Sequence, residues 1–512
     1  MIRISFNPGI SFYQMKSKQQ SLAILPDIPG LYGFIVFVTL FLFDGGKSLL
    51  DGDTFWHVKA GMTMLDQGSI LTQDIFSHTV SGIPWTAHEW LAEVIMAALH
   101  RFGGLQGVAL FFFFIAALSF WILFRIARHL TRDWLALLWV STAFAFSMTH
   151  LLARPHIFSW LFGVCTLGLL VKGGRAKYFL PLLIALWANL HGGFILGLVL
   201  QGIFIAGAIL DKVCLAGLSQ WRNILHSQKH ALIILFLSIV TSGLNPFGYH
   251  LLIFPFLVTK TIFTTGIGEW LAPDMQREIF FRYYLIAVIF LVSLPRLQIN
   301  WTNRLLLVFW INASLAHGRY ISMASVYLVP LLAQIGNQIV DRLPLKDRKA
   351  SGNELRLSPY SGLIATVGLF LILFCSSIYQ SPLRPLMAAV IPVKSEYHPV
   401  AAVNYLNSAP LAGKMFNKYG WGGYLIYALD PSQPVFIDGR ADMYGEELFK
   451  EYRKVVAIDK DIDTILEKHD VSWVLYPSDT PLVRYLLAGN RWKQIYQDEE
   501  ASVLLRNPIL RP

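Results

Sequence analysis

The stretch from Asp51 to Glu93 carries the side chains best suited to acid–base or metal chemistry. It holds nine acids and histidines, which are Asp51, Asp53, His57, Asp66, Asp74, His78, His88, Glu89 and Glu93. Only 14% of the chain is charged, and apolar segments border this stretch on both sides. Because carboxylates and imidazoles are costly to bury unless they are paired, their concentration here predicts an active site.

Asp53 is the main catalytic candidate. A carboxylate at the water edge of a membrane cavity can deprotonate a hydroxyl acceptor, or bind a divalent metal ion that neutralises a phosphate leaving group. His57 follows one helical turn later, and we expect His57, His88 and Glu89 to orient Asp53 or the acceptor. Asp51 is a candidate for substrate binding. For both aspartates, the alternative is an N-cap role at the start of a helix.

The spacing of these residues excludes a zinc protease site. The sequence HisGluTrpLeuAlaGlu (88–93) lacks the second histidine of the HExxH motif, and no cysteine pair accompanies it. Cys165, Cys214 and Cys375 lie far apart in apolar surroundings, which indicates neither a disulfide framework nor a CxxC metal site. No cofactor is indicated, and a divalent metal bound by Asp53 is an open alternative.

The composition is typical of a multi-pass membrane protein. Of the 512 residues, 55% are hydrophobic, and the mean hydropathy is +0.51, which is too apolar for an ordinary soluble globule. The formal net charge of +10 divides into +11 for residues 1–378 and −1 for residues 379–512. The positive excess lies in the apolar part, where loop anchoring explains it, so nucleic-acid binding is not expected.

Eleven apolar segments predict a mainly α-helical, multi-pass transmembrane domain over residues 30–379. A helix needs about 20 residues to cross a bilayer, and several of these segments are shorter. They lie near residues 30–49, 104–125, 134–150, 155–171, 177–191, 192–210, 231–248, 279–295, 302–317, 320–339 and 361–379.

The distribution of basic residues predicts the orientation of these segments. With residues 1–29 as a cytoplasmic segment, 19 of the Lys and Arg residues before position 379 fall inside and 8 outside. Residues 4–30 contain no clean cleavage signal, so the first segment should act as an uncleaved anchor. We therefore expect a protein of the inner membrane whose outer loop (residues 50–103) and C-terminal part face the extracytoplasmic side.

Further polar residues collect where helices should emerge on that outer side. Arg154, His191 and Arg319 are candidates for substrate binding, with the planar arginine guanidinium groups suited to phosphate oxygens. The full set expected to surround an outward-facing cavity is His150, Arg154, His156, Asn189, His191, Asn245, His250, Glu269, Asp274, His317 and Arg319. Alternatively, each of them caps a helix or lies at the membrane interface.

The pattern changes over residues 380–512. Short apolar runs alternate with polar and charged stretches, which predicts a small extracytoplasmic α/β domain. Its most distinctive motifs are TyrGlyTrpGlyGlyTyr (419–424) and PheIleAspGlyArg (436–440). A structural interpretation is favoured for both, because glycine permits tight turns and AspGly after a strand is a turn signal. Neither motif has the spacing of a nucleotide site.

Several of these features resemble the first outer loop of the GT-C superfamily. Between Asp51 and Gly104, an acid follows the first span, and an interfacial helix, a ProTrp turn and a second interfacial helix lead into GlyGly. Such enzymes, including protein O-mannosyltransferases and lipid A aminoarabinose transferases, take sugars from polyprenyl-phosphate carriers. The resemblance implies that Asp53 matches the catalytic or metal-binding acid of the superfamily.

The chain departs from these two enzyme groups at two points. AspGlyAsp stands where the mannosyltransferases have adjacent Asp and Glu, and GlyIleProTrp replaces the LysProPro turn of the aminoarabinose transferases. The sequence more closely resembles an uncharacterised group of bacterial membrane proteins. That group shares AspThrPheTrpHis, HisGluTrpLeuAlaGlu, AsnLeuHisGlyGly, AsnProPheGly and PheIleAspGlyArg.

The resemblance implies a membrane glycosyltransferase, of hexosyltransferase type. It would move a sugar from a polyprenyl-phosphate donor to an extracytoplasmic glycan, lipid or protein. One alternative is a non-catalytic assembly or scaffold protein of envelope polysaccharide synthesis. A transporter or flippase is a weaker alternative, because it predicts internal repeats and ionisable residues near the bilayer midplane, and the charges here gather at one face.

The predicted orientation can be tested by thiol labelling. In a variant without native cysteines, we expect Ser69→Cys and Ser432→Cys to react with a membrane-impermeant thiol reagent in spheroplasts, because both positions lie outside. Ser351→Cys, in a basic cytoplasmic turn, should react only after lysis. Labelling of Ser351→Cys alone in intact spheroplasts would reverse the orientation.

Overall fold

The computed structural model describes residues 25–258, 270–343 and 358–507. This part of the chain is mainly helical, with one small sheet near the C-terminus. Glu269, most of the cytoplasmic segment 1–29 and most of the basic turn containing Ser351 lie outside the described residues.

The helices before residue 380 coincide with every one of the eleven predicted apolar segments. Their bounds are α1 (Ile28–Phe43), α2 (Gly52–Gln67), α3 (Trp90–Arg128), α4 (Asp133–Ser147), α5 (His156–Lys172), α6 (Leu180–Leu190), α7 (Phe194–Ala216), α8 (Trp221–Ser227), α9 (Lys229–Ser242), α10 (His250–Val258), α11 (Ile279–Ser293), α12 (Trp301–Ala316), α13 (Tyr320–Tyr327), α14 (Val329–Val340) and α15 (Ser361–Ser377).

Length and composition support fewer membrane spans than eleven. Among the described helices, α3 and α7 are long and apolar enough to cross a membrane, and there are up to four spans if two bent helix pairs each count as one. The bent pairs are Leu218–Ser227 with α9, and α13 with α14. Four shorter apolar helices are α1, α5, α11 and α15. The mainly helical fold is confirmed, whereas the number of eleven spans stays a prediction.

The outer loop forms two helical segments that pack on each other. Asp51 is the N-cap of helix α2, and its carboxylate accepts the Asp53 N–H. Helix α3 contains a break at Gly104, where φ is +62°, a conformation that glycine adopts without a steric penalty. Residues 90–103 therefore form a separate first segment that packs against α2, and the interfacial position of both helices stays a prediction.

The C-terminal part is an α/β domain, as predicted. Its strands are β1 (Lys414–Asn417), β2 (Val471–Pro477), β3 (Trp492–Gln497) and β4 (Ala501–Arg506), in the order β1-β2-β4-β3. Strands β1 and β2 are parallel, and the other two pairs are antiparallel. The helices are α16 (Arg384–Val390), α17 (Val400–Ser408), α18 (Gly422–Leu429), α19 (Ala441–Val456), α20 (Ile462–Lys468) and α21 (Pro481–Ala488).

Backbone hydrogen bonds join the outer loop to this domain. Val435 donates its N–H to the carbonyl of Phe76 and accepts the N–H of His78, both at 3.0 Å. The Asn417 side chain in turn accepts the N–H of Phe436 and donates to the carbonyl of Ile437, each at 2.8 Å. An isolated bridge between the loop and residue 435 therefore lies beside β1, and one apolar core runs through both parts of the molecule.

The side chain of Arg440 is a buried, charged link between the two parts. Its guanidinium donates to both oxygens of Asp438, at 2.9 and 2.7 Å, and lies 2.8 Å from the Asp74 carboxylate of the outer loop. Its planar face lies over the rings of Phe76 and Trp85. All three charged side chains are at most 1% exposed, so their pairing replaces the lost hydration.

We expect Arg440→Met to destabilise the protein by about 3–5 kcal/mol, the scale for breaking a buried ion pair. Methionine keeps much of the apolar stem but leaves Asp74 and Asp438 uncompensated. The measurement is thermal unfolding of the purified protein in detergent, with limited proteolysis of the domain junction as a second readout.

Arg491→Met is the matched control for Arg440→Met, because Arg491 makes half-exposed ion pairs with Asp463 and Glu467. It should change stability by less than about 1 kcal/mol. An equally small effect of Arg440→Met would show that the buried network does not hold the domain in place.

Candidate active site

Glycines allow the C-terminal domain to approach the start of α2 closely. A Cβ at Gly423 or Gly52 would overlap a backbone carbonyl of the facing segment, and one at Gly439 would overlap the carboxylate of Asp53. No larger residue fits these three positions without a shift in the backbone or in Asp53. The motifs around residues 420 and 439 therefore form one wall of the site.

Asp51 and Asp53 both form an ion pair with Arg154. The guanidinium lies 2.5 Å from Asp51 and 2.7 Å from Asp53, using one nitrogen for each. The other oxygen of Asp53 accepts the indole N–H of Trp56 at 3.0 Å. The predicted base and the predicted phosphate ligand are thus in direct contact. Asp51 also caps α2, so both roles considered for it are compatible.

One turn further along α2, His57 lies between two glutamates. Its Nδ1 is 3.0 Å from Glu93 and its Nε2 is 3.3 Å from Glu89, and all three side chains are buried. Glu89 and Glu93 face the same ring because they are four residues apart at the start of α3. A neutral imidazole has one N–H, so both contacts form hydrogen bonds only if one of the glutamates carries a proton.

His191 completes the surroundings of Glu89. Its Nδ1 accepts the backbone N–H of Gly193 at 2.9 Å and faces the Ser159 hydroxyl at 2.6 Å, which itself accepts the Trp187 indole N–H. The neutral ring must then carry its proton on Nε2, which lies 3.3 Å from Glu89. Glu89 therefore has an imidazole against each of its oxygens.

His88 and Arg319 lie at the edge of this cluster. His88 Nε2 is 3.7 Å from Glu89, and its ring packs on Phe254. The guanidinium of Arg319 stacks over Trp270 at 4.4 Å. Burial lowers the pKa of His191, and the positive charges of His88 and Arg319 add to this effect. Both residues are near the cluster.

Burial favours the neutral forms of the cluster. It lowers the pKa of His57 well below its usual value, and the positive charge of Arg154 adds to this effect. It raises the pKa of Glu89, although His88 and Arg154 oppose the shift. Burial also raises the pKa of Asp442 in the first turn of α19, whose carboxylate belongs to the same electrostatic neighbourhood. Glu89 is therefore more basic than an exposed glutamate.

The other predicted cavity residues divide into two groups. Asn189 accepts the indole N–H of Trp90 at 3.0 Å, next to the cluster, and His156 contacts the carbonyl of His150 at 2.8 Å. Asn245 and Asp274 instead hold local turns, through the N–H groups of Phe247 and Gln276. The alternative of a local capping role thus describes this second group.

Sequence reasoning did not assign site roles to Glu93, Ser159, Asp442 or Gly439. The i, i+4 spacing of Glu89 and Glu93 was the available signal for Glu93. Ser159 and Asp442 stand in no recognisable motif, and Gly439 belongs to a motif that we interpreted as structural. Each of the four reaches the site through packing between segments that are distant in sequence.

The structure also bears on where a metal ion would fit. Among the described residues, one group of three ligands comes together, with atoms of His57, Glu89 and Glu93 all within 4.8 Å of one another. Both nitrogens of His57 already face carboxylates, so a metal would displace one of these contacts. Beside Asp53, the guanidinium of Arg154 takes the place of a neutralising cation. The donor set therefore fits a metal better at the buried cluster than at Asp53.

The fold is similar to that of a solved oligosaccharyltransferase from Archaeoglobus fulgidus, tethered with an acceptor peptide containing the NVT sequon. The TM-score is 0.54 at 13% identity, over 88% of this chain and 68% of that chain. The structure of ArnT from Cupriavidus metallidurans bound to undecaprenyl phosphate aligns over 93% of this chain and 98% of that one, with 13% identity and a TM-score of 0.48.

The first of these similarities establishes the fold. The described part of the chain shares this fold with the archaeal oligosaccharyltransferase. No family model matches the sequence. No curated protein matches it either.

The contact between Gly439 and Asp53 can be tested by adding one methyl group. Gly439→Ala places a Cβ inside van der Waals contact of the Asp53 carboxylate, so we expect a loss of about 1–3 kcal/mol in the free energy of unfolding. Gly420→Ala, in the same wall but with open space around it, should have little effect. Thermal unfolding in detergent measures both.

A double-mutant cycle identifies the cause. In an Asp53→Ala background the carboxylate is gone, and Gly439→Ala should then cost less. An unchanged cost would mean that the methyl group acts through other atoms.

Proposed function

We propose that this protein is an integral membrane glycosyltransferase that moves a sugar from a polyprenyl-phosphate donor to an extracytoplasmic acceptor. The observation that carries the proposal is the cluster of paired acids, imidazoles and arginine at one end of a helical bundle with a GT-C fold. The archaeal oligosaccharyltransferase of similar fold is described with an acceptor peptide, which supports an acceptor outside the membrane. The acceptor here is a glycan, a lipid or a protein.

The proposed reaction is a direct displacement at the anomeric carbon of the sugar. An acceptor hydroxyl forms the new C–O bond, the bond from the sugar to the phosphate oxygen breaks, and the hydroxyl proton passes to a carboxylate. Asp53 is the proposed base, with Arg154 and Arg319 balancing the charge of the leaving phosphate. The guanidinium of Arg154 matches phosphate oxygens as well as it matches its present carboxylates.

Arg154 is the group for which the donor phosphate and Asp53 would compete. In the described structure its guanidinium pairs with the Asp53 carboxylate at 2.7 Å. A donor phosphate offers the same guanidinium an alternative anionic partner.

Glu89 is the second candidate for the base. Burial raises its pKa towards the working range of a general base, and its contacts with His57 and His191 fix its orientation. If Asp53 is the base, the roles of Glu89, His57 and His88 are to orient the acceptor hydroxyl. Comparing Asp53→Asn with Glu89→Gln separates the two assignments, because only the loss of the base removes proton acceptance.

The alternative to an enzyme is a non-catalytic scaffold protein, and one observation favours it. Asp51 and Asp53 are already compensated by Arg154, and a protein that needs no chemistry would keep its acids in such internal pairs. On this alternative the cluster joins the outer loop to the helix bundle. Loss of its charges would then reduce stability or assembly without changing any transfer rate.

The deciding variant is Asp53→Asn, which keeps the shape of the side chain and removes its charge. We expect normal expression and a loss of sugar transfer of about 100-fold or more, the scale for removing a positioned base. The measurement is product formation in membranes supplied with polyprenyl-phosphate sugars, with and without a chelator. A chelator-sensitive reaction would indicate that a metal takes part.

Asp66→Asn is the matched control, since Asp66 lies in the same loop but is exposed and pairs with Arg101 at the surface. It should leave transfer nearly unchanged. Wild-type activity in Asp53→Asn would refute its catalytic role, and wild-type activity in Glu89→Gln as well would favour the scaffold function.

A further inference from the structure

A second cavity lies in the helix bundle, away from the candidate active site. Its volume is about 310 Å³, and helices α5, α7, α9, α12 and α14 contribute to its lining. That volume is within the usual range for pockets that take small ligands. No residue named in the active-site cluster borders it.

The cavity lies at the opposite end of the bundle from the active-site cluster. Helix α5 begins at the site with His156 and reaches the cavity at its other end, through Leu167 and Leu170. Helix α12 reaches the cavity with its first turns, around Asn303, and ends at the opposite end near His317. In the predicted orientation, this is the cytoplasmic end.

The lining of the cavity combines apolar and polar side chains. Leu167, Phe204 and Leu306 are among the apolar residues. Polar side chains include Lys177, from the connection between α5 and α6, and Gln334, from within α14. An occupant of this cavity needs an apolar body and one polar end that accepts hydrogen bonds.

Lys177 places a positive charge at the cavity, so a matching occupant carries a negative charge. Its side chain is half-buried, and within the described ranges its ammonium makes no ion pair or hydrogen bond. A cation beside an apolar cavity is costly to leave unpaired. Gln334 accepts the Asn303 amide through its oxygen, at 2.8 Å, which leaves its own N–H groups as further donors at the same cavity.

We propose that this cavity binds an anionic membrane phospholipid, with an acyl chain along the apolar walls and the phosphate at Lys177. Free phosphate would leave the walls uncovered, and a zwitterionic lipid offers the ammonium no net charge. The site is separate from the proposed donor site, so it does not depend on the glycosyltransferase assignment.

The test uses the full chain purified in detergent and native mass spectrometry with lipids of matched acyl chains. We expect phosphatidylglycerol to remain bound in preference to phosphatidylethanolamine. Lys177→Met should weaken phosphatidylglycerol binding by about 10-fold or more, the scale of a hydrogen bond to a charged group. Lys172→Met, an exposed lysine at the end of α5, is the control and should bind normally.

A second pair of variants tests the apolar part of the cavity. Ala208→Phe fills the cavity from α7 and should abolish retention of phosphatidylglycerol, whereas Ala206→Phe, exposed on the same helix, should not. Added phosphatidylglycerol should raise the melting temperature of the wild type but not of Ala208→Phe. Equal retention of both lipids by the wild type, or equal phosphatidylglycerol binding by Lys177→Met and Lys172→Met, would overturn the proposal.

Discussion

The buried guanidinium of Arg440 joins the two parts of the molecule. It is paired with Asp438 of its own turn and with Asp74 of the outer loop. Groups of opposite charge tolerate such burial only while they satisfy one another, so the loop and the domain cannot separate without a large loss of free energy. The consequence for the site is local, because Gly439, the residue before Arg440, is thereby held against the carboxylate of Asp53.

The candidate site is a set of compensated charges rather than a set of free groups. Asp51 and Asp53 share Arg154, and Glu89 is shared by His57 and His191. Chemistry at such a site requires that partners be exchanged. An incoming phosphate is the natural competitor for an arginine, and an acceptor hydroxyl is the natural competitor for an imidazole N–H.

The two ends of the helix bundle differ in their polar chemistry. At the end that carries the site, acids, histidines and arginines pair with one another across the outer loop and the helix ends. At the other end, the polar residues around the cavity are a lysine and amides beside apolar walls. The first arrangement suits a reaction between charged groups, and the second suits retention of an amphiphile. The C-terminal domain covers only the end of the bundle that carries the site.

The sequence by itself determined the elements of this protein. Apolar segments predicted helices at all eleven positions, because apolar runs of this length favour helices through local properties of the chain. The outer loop and the α/β domain followed from equally local patterns. Only the tertiary structure decided which polar side chains contact each other. Arg154 was expected to bind a donor phosphate, and in the structure it pairs with Asp51 and Asp53. Glu93 becomes part of the site only through its contact with His57. These contacts join residues 36 to about 100 positions apart, and no local pattern encodes which of them meet.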